Sequence, residues 1–206
     1  MPWLVQWLML FHANVTNSFG SPTANSESRI SSRILDWVAL IDRLQATDRE
    51  ALRSHFLALD GDDRRLRFGV SVGDSHIARY VENIDFVADN VYGVRGRGTG
   101  WLGIGHFSLG EGTAELGLSV MPDGRGKGLG AAIFRYAVVQ ASRRGAGRLY
   151  MHCLTSNRAI VSIARSAGMS IESTAGESNA YLVVPDHAQL VTRLIGEPAP
   201  VHSGVL

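Results

Sequence analysis

The stretch from 112 to 135 constrains the fold most, because it places a strand, a glycine-rich loop and a helix in immediate succession. Apolar residues alternate with small or polar ones over 113–121, which predicts a strand with one buried face. A proline and four alternating glycines follow within 122–130. From Leu129 apolar residues recur at helical spacing until Arg143-Arg144-Gly145, so a helix is predicted between these points.

The predicted helix begins without a capping side chain, since glycines stand where Ser, Thr, Asp or Asn would normally accept hydrogen bonds. Its first backbone N–H groups are therefore free, and a helix N-terminus carries partial positive charge. Arg125 and Lys127 add formal charge, and glycine allows a ligand to approach the backbone closely. The pattern predicts a loop that binds phosphate groups.

Three phosphate-binding patterns can be compared with this loop. The P-loop pattern fails because Lys127 is followed by Gly128 rather than by Ser or Thr. The dinucleotide pattern can be placed on Gly126, Gly128 and Ala131, but the acidic residue expected about 20 positions further on is missing. The third pattern fits directly, since Arg125-Gly126-Lys127-Gly128-Leu129-Gly130 resembles the R-x-x-G-x-G signature of the GNAT superfamily of N-acetyltransferases. In that superfamily the backbone amides of the loop hold the pyrophosphate of acetyl-CoA.

We predict an α+β fold with a mixed, mostly antiparallel sheet flanked by helices, in the order β-α-α-β-β-β-α-β-α-β-β. Short connections join three consecutive strands in the middle of the chain, which indicates an antiparallel meander. A helix crossover joins the third of these strands to the next, so those two are predicted to be parallel. The predicted strands are 33–43, 86–94, 100–109, 113–121, 148–154, 169–173 and 179–184, and the predicted helices begin at Thr47, near Asp74, at Leu129, at Asn157 and at Asp186.

This order resembles that of the GNAT superfamily over residues 33–185. The pattern Leu-x-x-Asp-Asp-Arg-Arg-Leu-Arg-Phe within 57–68 resembles a segment of bacterial members that shapes the acceptor side of the cleft, although arginines on a solvated helix are an equal alternative. Asn157 followed by Gly168 resembles the N-x-x-A-x-x-L-Y-E-K-x-G-F helix. The chain departs from that pattern at Ala164, where many members have a tyrosine general acid, and at Met169. The resemblance therefore supplies no tyrosine acid.

The resemblance implies that acetyl-CoA binds as co-substrate in a cleft between the strands at 113–121 and 148–154. The backbone amides of 125–130 are expected to bind the pyrophosphate, and backbone groups of the preceding strand the pantetheine arm. Asn157 either reaches this arm from the other side or acts only as a helix cap. The expected cofactor-binding residues are Leu118, Val120, Arg125, Gly126, Lys127, Gly128, Leu129, Gly130 and Asn157.

Acetyl transfer to an amine requires a base for the amine proton and donors that stabilise an oxyanion. Glu115 is the candidate base because it is the lone carboxylate on a small-residue strand face, and superfamily members often carry a catalytic glutamate there. The alternative is a solvated edge residue. His106 and His152 are reserve candidates, since histidine titrates in the right range. Tyr181, Cys153 and Ser162 could protonate the leaving thiolate.

Composition restricts the other function classes. The formal net charge is +1 and no long basic run occurs, so nucleic-acid binding is not supported. Cys153 is the only cysteine, which excludes an intrachain disulfide and a cysteine-based zinc cluster and favours a reducing, cytoplasmic compartment. No spacing of histidines and carboxylates suggests a metal site.

We expect a flexible or partner-bound extension at 1–32, a single acetyltransferase-like domain at 33–196 and a tail at 197–206. The apolar stretch 1–11 has no basic segment before it and is too short to span a bilayer, so no membrane association is predicted. This stretch could contact a second copy of the chain in a homodimer. The predicted function is acetyl transfer from acetyl-CoA to a small-molecule amine or a protein lysine. A non-catalytic sensor or scaffold that binds acetyl-CoA is the alternative.

Overall fold

The computed structural model describes residues 36–38, 40–96 and 100–187. The strands are β1 (Ile41–Arg43), β2 (Asn90–Arg95), β3 (Trp101–Leu109), β4 (Thr113–Val120), β5 (Arg148–Leu154), β6 (Ser170–Thr174) and β7 (Glu177–Val183). The helices are α1 (Arg49–Leu57), α2 (Gly61–Phe68), α3 (Asp74–Glu82), α4 (Leu129–Arg143) and α5 (Arg158–Ser166). Short 3-10 turns cover Ala46–Asp48 and Pro122–Gly124.

All seven strands lie in one sheet, in the order β1-β2-β3-β4-β5-β7-β6. β1 to β4 pair antiparallel, which includes the predicted meander. Helix α4 crosses over from β4 to β5, and these two strands are parallel. The hairpin of β6 and β7 then pairs antiparallel with β5. The predicted mixed, mostly antiparallel α+β fold is confirmed.

One helix adds to the predicted order, because three helices rather than two lie between β1 and β2. Helix α1 ends at Leu57, and Gly61-Asp62-Asp63 form the first turn of a separate helix, α2. The side chain of Asp60 accepts a hydrogen bond from the N–H of Asp63 at 2.8 Å and caps this helix. Gly69, with a φ of 79°, ends α2 in the left-handed conformation.

The two ends of the described chain differ from the prediction or fall outside it. Residues 36–38 are helical and the N–H of Leu40 donates to the carbonyl of Trp37. Of the described residues in the predicted strand 33–43, only Ile41–Arg43 form β1. The helix predicted from Asp186 lies outside the described residues beyond 187. In the part of the chain that is described, no helix is long and apolar enough to cross a membrane.

Helices pack on both faces of the sheet and form two main hydrophobic clusters. On one face α1 and α3 contact each other and α1 contacts β3, while on the other face α4 contacts β3, β4 and β5. Strand β4 is covered by α2 and by α4, so it lies between the two helical layers. Large side chains that are fully buried in these clusters include Leu52, Phe56, Ile77, Ile104, Phe107, Leu116, Phe134, Leu149 and Met151.

Candidate functional site

The main cleft forms because β4 and β5 pair only at their starts. Thr113–Glu115 pair with Arg148–Tyr150, and no later residue of these two described strands pairs across the gap. β4 stays paired with β3 as far as Val120, while β5 stays paired with β7 as far as Leu154, so the two strands separate. The second half of β4 therefore has an edge to which an extended ligand can hydrogen-bond.

A glycine loop closes one end of this cleft. Gly126 and Gly128 have φ angles of 68° and 84°, a region that favours glycine. Gly128 is the N-cap of α4, and no side chain caps this helix. The N–H groups of its first turn, at Leu129 and Gly130, therefore have no intrahelical acceptor, and both residues line the cleft. These donors and the positive end of the helix dipole suit a phosphate group.

We call this space the glycine-loop cleft, and its volume is about 480 Å³. Its walls come from α2, the end of β4, the loop, the first turn of α4, and α5. Eight of the nine predicted cofactor-binding residues line it: Leu118, Val120, Arg125, Gly126, Gly128, Leu129, Gly130 and Asn157.

The ninth, Lys127, lies on the other side of the loop. Its Nζ donates to the carbonyl of Asp123 at 2.6 Å, and its own carbonyl accepts from Nε1 of Trp37 at 2.8 Å. Arg125 does line the cleft, but Asp63 accepts from its Nη2 at 2.5 Å and the carbonyl of Val120 accepts from its Nε at 3.0 Å. On the loop, the backbone amides and Arg125 therefore face the cleft, whereas the Lys127 side chain does not.

Asn157 connects two walls of the cleft. Its Oδ1 accepts from the N–H of Ile160 at 3.2 Å, which caps α5, and its Nδ2 donates to the carbonyl of Leu66 in α2 at 3.3 Å. The residue is only 8% exposed. The helix-cap alternative is thus present in the structure, and the same side chain also holds α5 against α2.

A second space of about 390 Å³ adjoins β4 nearer its start, and we call it the Glu115 cavity. Glu115 and His152 both line it, so the structure brings these two candidates together. Glu115 is exposed and lies at the last residue pair between β4 and β5. The Nδ1 of His152 has a short hydrogen bond to Oδ1 of Asn179. An exposed carboxylate at the wall of an open cavity can accept a proton from a bound amine.

The third candidate, His106, is not among the residues that line either space. Its Nδ1 is 2.6 Å from the hydroxyl of Tyr80, and its Nε2 is 3.4 Å from Oδ2 of Asp89. Burial lowers the pKa of His106, and the positive charge of Arg67 lowers it further, against the opposing effect of Asp89. The geometry favours a role in holding neighbouring groups rather than direct contact with a substrate.

Arg67 is a site residue that the sequence patterns do not single out. It lines both the glycine-loop cleft and the Glu115 cavity. Its Nη2 donates to the hydroxyl of Tyr80 at 2.8 Å, and its guanidinium lies over the ring of Phe68 at 5.0 Å. A Cβ at Gly117 would lie 2.7 Å from the guanidinium carbon, so a side chain there would displace it. The only sequence signal was the arginine-rich segment 57–68.

A comparison with family models gives a match to the acetyltransferase (GNAT) family over residues 49–169, which is more than half of the 206-residue chain. The chain belongs to the GNAT family. This membership makes it an acyltransferase of the N-acetyltransferase type, for which acetyl-CoA is the co-substrate. A comparison with curated proteins finds no match.

Solved GNAT structures share the fold. The GNAT domain of S. lividans PAT is 18% identical with a TM-score of 0.59, and the match covers 69% of this chain and 89% of that one. The ribosomal-protein-S18-alanine N-acetyltransferase from Escherichia coli is 18% identical with a TM-score of 0.53, covering 70% and 92%. yncA of Salmonella typhimurium, a structure with acetyl-CoA, is 17% identical with a TM-score of 0.53, covering 71% and 94%. Identities this low show the fold alone.

The candidates for protonating the leaving thiolate lie at different places in this GNAT fold. Ala164, at the position of the usual tyrosine, is 1% exposed in the core. Ser162 lines the glycine-loop cleft, whereas Cys153 lines the Glu115 cavity and burial raises its pKa. Tyr181, on β7, is half-buried and lies beside Tyr150 of β5. Among the described residues, no group of three or more His, Cys, Asp or Glu side chains is placed to hold a metal ion.

Proposed function

We propose that this GNAT chain transfers the acetyl group of acetyl-CoA to an amine nitrogen of a small molecule or a protein lysine. The observation that carries the proposal is the pair of spaces along β4. The glycine-loop cleft offers backbone donors for a pyrophosphate, and the Glu115 cavity offers a carboxylate for an amine proton. One residue, Arg67, lines both spaces, so a donor and an acceptor bound in them meet beside it.

The residues of the cleft fit acetyl-CoA. The amides of 126–130 bind the pyrophosphate, because the N–H of Arg125 already donates to the carbonyl of Pro122 at 3.1 Å. The Arg125 side chain is held beside these amides by Asp63. The unpaired edge of β4 at Leu118 and Val120 binds the pantetheine amides as an added strand would. Asn157 borders the same arm from α5. When bound, acetyl-CoA supplies an activated acetyl thioester.

Glu115 acts as the general base in this proposal. The attacking amine must be neutral, and a carboxylate at the wall of the Glu115 cavity removes its proton and passes it to solvent, to which Glu115 is exposed. His152 lines the same cavity and is the reserve base. Both are placed where an acceptor amine would approach β4.

A sensor or scaffold that binds acetyl-CoA without turnover is the second candidate function. The observation in its favour is Ala164, which is buried and has no proton to give to a leaving thiolate. A thiol has a reference pKa of about 8.5, so the thiolate leaves with little assistance. We therefore favour the enzyme over the sensor.

We further propose that the acetyltransferase domain extends over 33–196 and acts in the cytoplasm. The support is the family match within these limits and a single cysteine, Cys153, which is buried and free. Residues 1–32, which lie outside the described residues, are proposed as a flexible or partner-bound extension, and its apolar stretch 1–11 as the segment through which two copies associate.

A ligand screen with the full chain tests the proposed function. Acetyl-CoA should raise the melting temperature, because a ligand at about 100 times its Kd adds about 2.7 kcal/mol to the free energy of unfolding. NADH and ATP should not do so at equal concentration. Release of free thiol is then followed with a panel of small amines and lysine peptides. A shift with acetyl-CoA but no thiol release with any acceptor would favour the sensor, and a shift with NADH alone would contradict the cleft assignment.

A further inference from the structure

Arg67 lies where the two spaces meet. Among the described residues it alone lines both the glycine-loop cleft and the Glu115 cavity. It crosses β4 at Gly117, between Glu115 on the cavity side and Leu118 on the cleft side. If the donor binds in the cleft and the acceptor in the cavity, as the proposed function has it, the new bond forms next to this guanidinium.

A chain of polar contacts holds the guanidinium in place. Arginine can only donate, so the hydroxyl of Tyr80 accepts from Arg67 Nη2 at 2.8 Å. The same hydroxyl is hydrogen-bonded to Nδ1 of His106 at 2.6 Å, and Nε2 of His106 faces Asp89 at 3.4 Å. The rings of Phe68 and Phe56 lie 5.0 and 5.5 Å from the guanidinium carbon. Orientation before binding reduces the cost of reorganisation during a reaction.

We propose that Arg67 is a catalytic residue that binds the acyl oxygen of the donor, and that Tyr80 and His106 are positioning residues acting through it. As the amine nitrogen bonds to the thioester carbon, the C=O π electron pair moves onto the oxygen beside the guanidinium. The pair returns when the C–S bond breaks and the thiolate leaves with the electrons of that bond. The proton of the attacking nitrogen passes to Glu115. Positive charge beside the oxygen stabilises it most when it is an oxyanion.

The same charge also favours the reactive form of the acceptor. A fixed cation disfavours protonation of nearby bases, and the charge of Arg67 contributes to the lowered pKa values of both His55 and His106. An ammonium group entering the Glu115 cavity meets the same field. Arg67 therefore promotes both the loss of the amine proton and the growth of charge on the acyl oxygen.

Binding of S-carboxymethyl-CoA tests this role without an acceptor and without turnover. This thioether does not react with amines. Its methylene carbon takes the place of the acetyl carbonyl carbon, and its carboxylate is attached to that methylene, one bond further from sulfur. Calorimetry compares its Kd with that of CoA. The wild type should prefer S-carboxymethyl-CoA, and Arg67→Met should lose about 10- to 100-fold of that preference, the range for a hydrogen bond to a charged group. The Kd for CoA should change little, because the glycine loop is intact.

Three further variants make the result specific. Arg65→Met removes an exposed arginine of the same helix, and the preference should stay as in the wild type. Arg67→Lys keeps the charge but loses the planar fork, and Tyr80→Phe keeps the ring but loses the hydroxyl, so each should lose part of the preference. Thermal melting establishes that each variant is folded.

The proposal is overturned if folded Arg67→Met keeps the wild-type preference for S-carboxymethyl-CoA. If Arg67→Met does not fold, the proposal is overturned when Arg67→Lys and Tyr80→Phe both keep that preference. It is also overturned if Arg65→Met loses as much preference as the Arg67 variants, because the effect would then be one of general charge. Wild-type protein that binds neither compound would instead refute the proposed function, and the Arg67 role with it.

Discussion

The glycine-loop cleft and the Glu115 cavity share β4, but they are built differently. The phosphate-binding part of the cleft is one continuous segment, 122–130, whose donors are backbone N–H groups. The Glu115 cavity combines side chains from α2, β4, β5 and β7, from Arg67 to Asn179 along the chain. The donor side thus depends on local backbone conformation, whereas the acceptor side depends on tertiary packing.

This difference has a consequence for specificity. Backbone amides recognise a phosphate whatever the neighbouring side chains are, so the donor site tolerates substitution wherever glycine is kept. The Glu115 cavity changes its charge and shape with every side chain that lines it. We therefore expect variants of the loop to affect acetyl-CoA binding most, and variants of the cavity to affect turnover most.

The first prediction tests the donor side, where the largest effect is expected. Gly128→Val should abolish acetyl-CoA binding, because an L-residue is strained at a φ of 84° and the loop amides would move away from the pyrophosphate. Gly130→Val should act similarly, since a Cβ there would already lie 3.1 Å from Ile163 in α5. Isothermal titration calorimetry with acetyl-CoA measures the loss.

Gly145→Val is the matched control for strain. Gly145 has a φ of 72° and lies at the far end of α4, where a Cβ would meet no heavy atom within 4 Å. Gly128→Val and Gly145→Val should each lose about 1–2 kcal/mol of folding free energy, because both place an L-residue in the left-handed region. Only Gly128→Val should lose acetyl-CoA binding. Unchanged affinity in folded Gly128→Val would contradict the loop assignment.

The sequence predicts the donor side well because its signals are local. The alternation in β4, the glycines that follow it and the apolar period of α4 all lie in one continuous segment, 113–143, and the predicted start of α4 at Leu129 is the observed one. The exception is Lys127. A glycine-rich turn does not fix which side of the loop a side chain takes, and here the carbonyl of Asp123 holds Lys127 away from the cleft.

The acceptor side was predicted only in part, for a physical reason. Glu115 could be named because strand alternation fixes its face. Arg67 could not, because its position depends on the cap at Asp60 that makes α2 a separate helix and on the space left by Gly117. Only the general titration range of histidine points to His106, and the sequence gives no sign that Tyr80 and Asp89 flank it. Contacts between residues that are far apart in the chain leave no pattern in the local sequence.

The second prediction tests the acceptor side. Glu115→Gln should lower turnover by roughly 10²–10⁴-fold, the range that general base catalysis usually supplies, because the amide cannot take the amine proton. Acetyl-CoA affinity should remain, since Glu115 does not line the glycine-loop cleft. Steady-state thiol release across pH, with an acceptor found in the amine panel, gives kcat and kcat/KM.

Glu111→Gln provides the control for loss of a carboxylate near the same strand. Glu111 is exposed in the turn between β3 and β4 and lines neither space. It should have wild-type turnover. If Glu115→Gln does too, Glu115 has no part in proton transfer, and His152→Gln becomes the next variant to measure.

The third prediction concerns the strand that both spaces share, and its effect is the smallest. His55 is 4% exposed, and its neutral ring is fully paired, with Nδ1 donating to the carbonyl of Trp101 at 2.9 Å and Nε2 accepting from Ser119 on β4 at 2.8 Å. Burial lowers the pKa of His55 from 6.5 to about 4, with a smaller lowering by Arg67. A folded-state pKa below the unfolded one means that acid favours the unfolded chain. The contribution of neutral His55 to the free energy of unfolding is therefore fully present above pH 6.5 and is lost as the pH falls toward 4.

The loss from this one group should be about 3 kcal/mol between neutral pH and pH 4. His55→Gln separates it from the titration of carboxylates, because glutamine can make both hydrogen bonds but does not titrate. Urea unfolding at both pH values measures the free energy of unfolding of each protein. Relative to the wild type, His55→Gln should gain about this amount between neutral pH and pH 4, so that its lower stability at neutral pH becomes smaller or is reversed at pH 4. His76→Gln, a change at an exposed histidine of α3, should show no such difference between the two pH values. If the difference in free energy of unfolding between His55→Gln and the wild type is the same at both pH values, His55 takes up its proton in the folded state. The protein around His55 and Ser119 would then accommodate a charge as the open Glu115 cavity does.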